Sequence, residues 1–205
     1  LVRLPTGKMS SRTGDVVTAE FLLADVKKRV LQKMKDIDVQ EKEKIAEQVA
    51  VGAIKYSILK QSAGNDIIFD FEKSLSFEGD SGPYLQYTHA RACSVIGKAR
   101  EAHIKASLKK IPEKAGNVEK ILERFPEVVA WAYTEREPHY ITTYLTQLAG
   151  AFNAFYARER IVPVLSEAEV DGGEDAPYRL ALTEAVSIVL KNGLWLLGIE
   201  APERM

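Results

Sequence analysis

The chain has 205 residues, 46% of them apolar and 28% charged, enough to bury one sizeable core or a core plus a short appendage, and nothing in the composition marks it as disordered. A formal charge of -1 and a pI near 6.4 exclude a uniformly cationic nucleic-acid binder, so any such surface must be a local patch. Two patches qualify: residues 1–63 carry twelve Lys and Arg against eight Asp and Glu, and residues 80–110 carry six against two, a net of +4 in each.

In chain order, Leu1 to Leu4 alternates like the end of a strand, and Pro5, Thr6 and Gly7 turn it into a loop. A start on Leu-Val-Arg without an initiator Met reads as a piece of a longer protein. The loop places two cations, Lys8 and Arg12, and two hydroxyls, Ser10 and Ser11, between Gly7 and Gly14. Amides, hydroxyls and ammonium groups in a flexible segment can wrap phosphate oxygens. The G-x-x-x-x-G-K-[ST] spacing of a Walker loop is absent, and by composition alone a solvated basic turn is the simpler reading.

Thr18 caps a predicted helix running to Lys35, with Glu20 in its first turn and Leu22, Leu23, Val26, Val30 and Met34 as its apolar stripe. Its polar side, Lys27, Lys28, Arg29, Lys33 and Lys35, reads as a solvated face first and as an RNA-backbone contact second. A second helix is expected from Ile45 to Lys60, ended by Gly64 and Asn65, and the run from Ile67 to Phe71 reads as extended.

The stretch from Gly79 to Arg100 is a long helix with Asp80 or Ser81 as cap and Pro83 in the first turn, where the missing amide has no helical partner. Leu85, Ala92, Ile96 and Ala99 recur at core spacing. Tyr84, Tyr87, Arg91, Ser94 and Lys98 share a neighbouring flank about 20 Å long. Phenols beside cations suit unpaired bases and phosphates, although two half-buried boundary tyrosines would give the same pattern. Cys93, alone in the chain, cannot form an internal disulfide; it reads as a small buried hydrophobe in a reducing cytosol.

Further on, Lys105, Lys109, Lys110 and Lys114 form a basic helix end and linker. Residues Val118 to Ala132 make a helical pair broken near Pro126, and Pro138 opens a strongly apolar helix with Ile141, Tyr144, Leu145, Leu148, Phe152 and Phe155 on its stripe. Asn153 among them needs a partner if buried. A loop from Ser166 to Asp175 with five acidic residues is expected to face away from RNA, and Pro177 starts the last helix, closed by Gly193 and Gly198. No transmembrane run or signal peptide is visible. His89, His103, His139 and Cys93 show no metal spacing. The fold class is all-α, a helical bundle preceded by a short loop and strand remnant.

Lys8, Met9, Ser10, Ser11 and Arg12 resemble the K-M-S-K-S signature of class I aminoacyl-tRNA synthetases, in the K-M-S-S-R form of the arginyl-tRNA synthetases. G-D-S-G-P-Y-L-Q-Y-T-H-A-R from Gly79, Y-L-T-Q-L-A-G-A-F-N-A-F-Y from Tyr144 to Tyr156, and L-L-G-I-E-A-P-E-R-M from Leu196 to Met205 are similar to that family in the same order. The resemblance implies the family's C-terminal portion: a signature loop at 1–17, a connecting helical region at 18–78 and a helical anticodon-binding domain at 79–205. It also implies a H-I-G-H motif and an arginine pocket upstream of Leu1, and a cytoplasmic enzyme that joins arginine to its tRNA through arginyl-adenylate.

For sites, it implies ATP contact by Lys8, Met9, Ser10 and Ser11, with a catalytic part for Lys8, Ser10, Ser11 and Arg12, ATP as substrate with Mg, and no metal held by this chain. For arginine tRNA it implies Tyr84, Tyr87, Arg91, Tyr140, Tyr144, Asn153, Tyr156 and Met205. Tyr144 also lies on an apolar stripe, so a core role stays open for it. Ser11 stands where the motif has its second lysine and Thr13 where many arginyl enzymes have another, which leaves the supplier of that cation open. The bundle of another class I synthetase, or a free-standing helical interaction module, remain the alternatives.

Overall fold

The computed structural model describes residues 2–3, 18–35, 40–162 and 175–205. The signature segment Lys8 to Arg12 and the acidic residues 166–174 lie outside them. Among the described residues the strand pairing is confined to β1 (Val2–Arg3) and β2 (Ile67–Ile68), parallel, with Val2 opposite Ile67. The rest is helical.

Helix α1 (Ala19–Lys33) begins where Thr18 accepts a hydrogen bond from the Phe21 amide, as its sequence predicts. Helix α2 (Lys42–Leu59) starts three residues earlier than expected, its entry turned by Glu41 at φ 56°. The run after Ile68 does not stay extended. Asp70 accepts from the amides of Glu72 and Lys73 and starts a short helix, α3 (Phe71–Ser74). An Asp cap followed by Glu in the first turn outweighs the strand preference of Phe69 and Phe71.

Helix α4 (Gly82–Glu101) is capped by Ser81, whose hydroxyl accepts from the Tyr84 amide, with Pro83 in the first turn. Helices α5 (Asn117–Glu123) and α6 (Phe125–Glu135) part at Arg124, and Pro126 sits harmlessly in the first turn of α6. Helix α7 (His139–Arg158) follows Pro138, and α8 (Ala176–Leu196) carries Pro177 in its first turn. Gly198, at φ 66°, then reverses the chain, and the Ile199 amide donates to the Leu194 carbonyl, an αL helix ending that folds residues 199–205 back over the bundle.

Two cores result. Val26, Val30, Met34, Ile45, Val49, Phe69 and Leu75 fill the space between α1, α2 and the β2–α3 segment. Leu85, Leu145, Leu148, Phe152, Val186, Leu190 and Leu194 fill the bundle of α4, α7 and α8, with α5 and α6 packed on its side. The two join where α2 crosses α4. A Cβ on Gly82 would stand 2.3 Å from the Gly52 carbonyl oxygen, so this backbone approach admits only glycine. Tyr56 spans the junction: its hydroxyl bonds to Asp80 and Thr146, and burial, then the Asp80 hydrogen bond, push its pKa well up.

The stripe expected on α4 needs one correction. Leu85, Ala92 and Ala99 are buried, but Ile96 is half-buried and Val95 takes the core position. Three polar residues beside the stripe, Gln86, Thr88 and His89, are fully buried as well.

Candidate nucleic-acid interface

The flank of α4 faces α7, and the two helices build one polar-aromatic cluster. Arg91 Nη1 donates to Asn153 Oδ1 at 2.5 Å, and Nη2 donates to the Tyr87 hydroxyl at 3.3 Å. The guanidinium carbon lies 4.8 Å from the Tyr87 ring centroid and 5.1 Å from that of Tyr156. Asn153 Nδ2 donates to the Tyr84 hydroxyl at 3.0 Å and to Thr88 Oγ1 at 3.1 Å. Since a guanidinium only donates, the amide oxygen must face Arg91 and both amide hydrogens face the two hydroxyls, which fixes the orientation of Asn153. The partner that Asn153 requires is thus supplied three times over, once with charge assistance.

Exposure separates the members of this cluster. Tyr87 is 37% and Tyr156 40% exposed, while Tyr84 is half-buried with its hydroxyl committed to Asn153. Phe77, from the segment before α4, meets Tyr87 edge-on at 5.9 Å. Two partly exposed phenol rings are therefore gathered about a half-buried guanidinium that hydrogen bonds hold in place, an arrangement on which an unstacked base can lie.

Beside it an open cleft of about 1120 Å³ runs between α4, α8 and the C-terminal segment, with Tyr87, Arg91, Ser94 and Lys98 on one wall and Ser187 and Ile188 on the other. Its charge is mixed: Arg91, Lys98, Arg100 and Arg204 face Glu101, Glu184 and Glu203. Met205 closes one end and also packs on the α1–α2 core. Cys93 lies on the cleft, half-buried rather than fully buried, with its thiol 3.6 Å from the Ser187 hydroxyl; burial pushes its pKa up.

Two tyrosines fall elsewhere. Tyr144 is 3% exposed, stacks on Phe125 at 5.5 Å and donates its hydroxyl to the Ile121 carbonyl at 3.0 Å. It is a core residue with no free face, and burial pushes its pKa up to about 12. The core role left open for Tyr144 is the one this geometry supports. Tyr140 packs with His139 at 4.4 Å and Trp131 at 6.0 Å, sixteen residues or about 24 Å along α7 from Tyr156.

Three cations of the basic face of α1 meet partners within the fold. Lys27 pairs with Glu47 at 3.2 Å and Glu43 at 3.4 Å, Arg29 pairs with Asp25 at 3.0 Å and lies over Phe71, and Lys33 donates to the Leu75 carbonyl. The solvated reading of that face is the one its geometry supports.

What sequence reasoning missed is the support of the C-terminal segment. Gln86 Nε2 donates to the carbonyls of Gln48 and Glu200, and His89 Nδ1 lies 3.0 Å from the Pro202 carbonyl. Gln48 also donates to the Glu200 carboxylate at 2.6 Å. The one available signal was two polar side chains three residues apart on the inner side of α4.

No group of three or more His, Cys, Asp and Glu placed to hold a metal ion occurs among the described residues. No helix among them is long and apolar enough to cross a membrane.

The family described as the DALR anticodon binding domain matches residues 85–205, and that described as the class I tRNA synthetase (R) catalytic domain matches residues 5–71. Over its whole length the chain is similar to the arginine–tRNA ligases of Pyrococcus furiosus, at 40% identity, and Pyrococcus abyssi, at 42%, and covers 34% and 33% of them. Among solved structures, it is similar over its whole length to Thermus thermophilus arginyl-tRNA synthetase, with a TM-score of 0.79, 35% identity and 34% of that chain covered. Over 91% of its length it is similar to the Plasmodium falciparum enzyme, with a TM-score of 0.65, 25% identity and 32% covered. The chain thus spans about a third of the length of the curated relatives it matches.

Proposed function

Since the chain belongs to the DALR anticodon-binding domain family, we propose that it is the tRNA-binding C-terminal part of an arginine–tRNA ligase, and that its α4–α7 flank receives the anticodon region of arginine tRNA. The observation that carries this reading is the cluster of Tyr87, Arg91 and Tyr156: two partly exposed rings about a guanidinium that Asn153 anchors, beside an open cleft.

The chemistry follows from the geometry. An anticodon base that leaves the loop stack loses its neighbours, and Tyr87, Arg91 and Tyr156 offer replacement faces at little reorganisation cost because Arg91 is already oriented. Lys98 and Arg100, about two and two and a half turns beyond Arg91 on α4, would meet the following phosphates. Of the residues implied by resemblance, Tyr87, Arg91 and Tyr156 would touch RNA, Tyr84 and Asn153 would position them, and Met205 would border the cleft. Tyr140 lies too far along α7 to join them and Tyr144 is buried.

In the whole protein, Lys8, Met9, Ser10 and Ser11, with Arg12, would face ATP, brought in with its Mg as substrate. A positive loop there offsets the charge that develops on departing pyrophosphate. The divisions at 17/18 and 78/79, and a cytoplasmic place for the enzyme, belong to the same proposal. Its test is binding of this chain to arginine tRNA against a panel of other tRNAs at fixed salt. Preference for arginine tRNA is expected, and equal affinity across the panel would refute it.

A further inference from the structure

We propose that Gln86 and His89 are positioning residues for RNA recognition: together they clamp the C-terminal segment across α4 in the register that brings Glu203, Arg204 and Met205 to the cleft. The proposal rests on the reading of the cleft as the tRNA site.

Both side chains are buried, at 0% and 1% exposure, on a helix face that otherwise packs apolar residues. Neither reaches another side chain for its principal bond. Gln86 Nε2 bridges two backbone carbonyls, Gln48 on α2 at 3.0 Å and Glu200 in the segment at 2.8 Å. His89 Nδ1, one turn further, meets the Pro202 carbonyl at 3.0 Å. Two contacts two residues apart on the segment and three apart on the helix fix both its height and its direction of travel. Lys55, donating to the Gly198 carbonyl, holds the start of the same segment.

A purely cohesive role would be served better by apolar side chains. Gln86 Oε1 is buried with no hydrogen-bond partner, so the fold carries a desolvation cost for keeping an amide there. Space for that amide is also made on purpose. A Cβ on Gly52 would lie 2.6 Å from Gln86 Oε1 and 2.8 Å from its Nε2, so Gly52 is the slot into which the side chain fits. What the amide supplies in return is directional: a donor that sets which residue of the segment sits over α4. Leu or Met there would bury as well and would let the segment slide.

The downstream end shows what the register serves. Glu203 lies one residue beyond Pro202 and is tied to Lys191 of α8 at 3.7 Å, and Glu203, Arg204 and Met205 all line the cleft. On α4 itself, Tyr87 and Arg91 lie on the flank next to the clamp face, so one helix carries its own wall of the cleft and holds the C-terminal segment in a fixed relation to it.

The test measures the dissociation constant for an arginine tRNA transcript with the full-length protein carrying Gln86→Leu, His89→Leu, His89→Asn, Met205→Ala and the Gln86→Leu/Met205→Ala pair, alongside melting temperatures. Expected are a three- to tenfold loss for Gln86→Leu, a similar loss for Met205→Ala, and no further loss in the pair, because both remove the same placed wall. His89→Asn, whose Nδ2 can replace Nδ1 as donor to Pro202, should bind like wild type where His89→Leu does not. Multiplying losses in the pair, wild-type binding by Gln86→Leu or by Met205→Ala, or equal behaviour of the two His89 variants would overturn the clamp. If Gln86→Leu melts early, the His89 pair decides. Loss of arginine tRNA preference in the unmodified protein would instead overturn the reading of the site.

Discussion

Replacing Asn153 with Ala removes the hub of the aromatic cluster. Three hydrogen bonds disappear: two neutral ones to Tyr84 and Thr88 and the charge-assisted one from Arg91 at 2.5 Å. Each neutral bond contributes about 1 kcal/mol net and the charged one about 1.5–3 kcal/mol. The site is half-buried, so water can reach Arg91 and the Tyr84 hydroxyl after the change, and Thr88 keeps its own bond to the Tyr84 carbonyl. A net loss of about 2 kcal/mol is the result, equivalent to a melting temperature lower by about 4–8 °C for a chain of this size. RNA binding suffers separately. Arg91, no longer held against Tyr87 and Tyr156, must be ordered on binding at a cost of about 0.5–1.5 kcal/mol, which weakens affinity about two- to tenfold. Calorimetry and fluorescence anisotropy with an anticodon stem-loop measure the two effects independently. Wild-type affinity at a lowered melting temperature would refute the idea that Asn153 prepares Arg91 for RNA.

Tyr144→Phe, losing only the bond to the Ile121 carbonyl, should lower stability by about 1 kcal/mol and leave tRNA affinity unchanged; a clear loss of binding would return Tyr144 to the RNA surface. His89 is held below its ordinary pKa of 6.5, chiefly by burial, so the folded state binds its proton less readily than the unfolded chain does. Stability from this group is complete above pH 6.5 and is lost as pH falls below it; melting curves from pH 7.5 to 5 should show the decline in wild type and a smaller one in His89→Asn. Glu137 adds a later acid loss below its ordinary 4.5, since the Ala63 amide first, then the Ser62 hydroxyl and His139, favour its carboxylate. In the full-length enzyme, Lys8→Ala and Ser10→Ala should slow arginine activation without shifting the melting temperature, measured by pyrophosphate exchange, whereas this chain alone should form no arginyl-tRNA.

Helix positions and caps were legible because each is a local contract between neighbours. Thr18, Ser81 and the prolines at 83, 126, 138 and 177 all act within one turn. The flank of Tyr87, Arg91, Ser94 and Lys98 was legible for the same reason, since helical spacing alone puts these residues on one wall. Tyr144 carried its own warning in Leu145 and Leu148, which share its stripe and are fully buried. The buried polar face of α4 was not legible. Nothing local marks Gln86 and His89 as buried, and the Glu200 and Pro202 carbonyls they meet lie 114 and 113 residues away in sequence. The short helix α3 was hidden by the aromatic run around it, although its Asp70 cap was in plain view.

Anisotropy titration of arginine tRNA with wild type, Tyr87→Ala and Arg91→Ala tests whether the flank of α4 reads the anticodon. A lost base stack of about 1–3 kcal/mol corresponds to about five- to 150-fold weaker binding for Tyr87→Ala. For Arg91→Ala a shallower dependence of log affinity on log salt is expected as well. If both variants retain their helical content by circular dichroism and bind arginine tRNA like wild type at every salt concentration, the anticodon does not meet this surface.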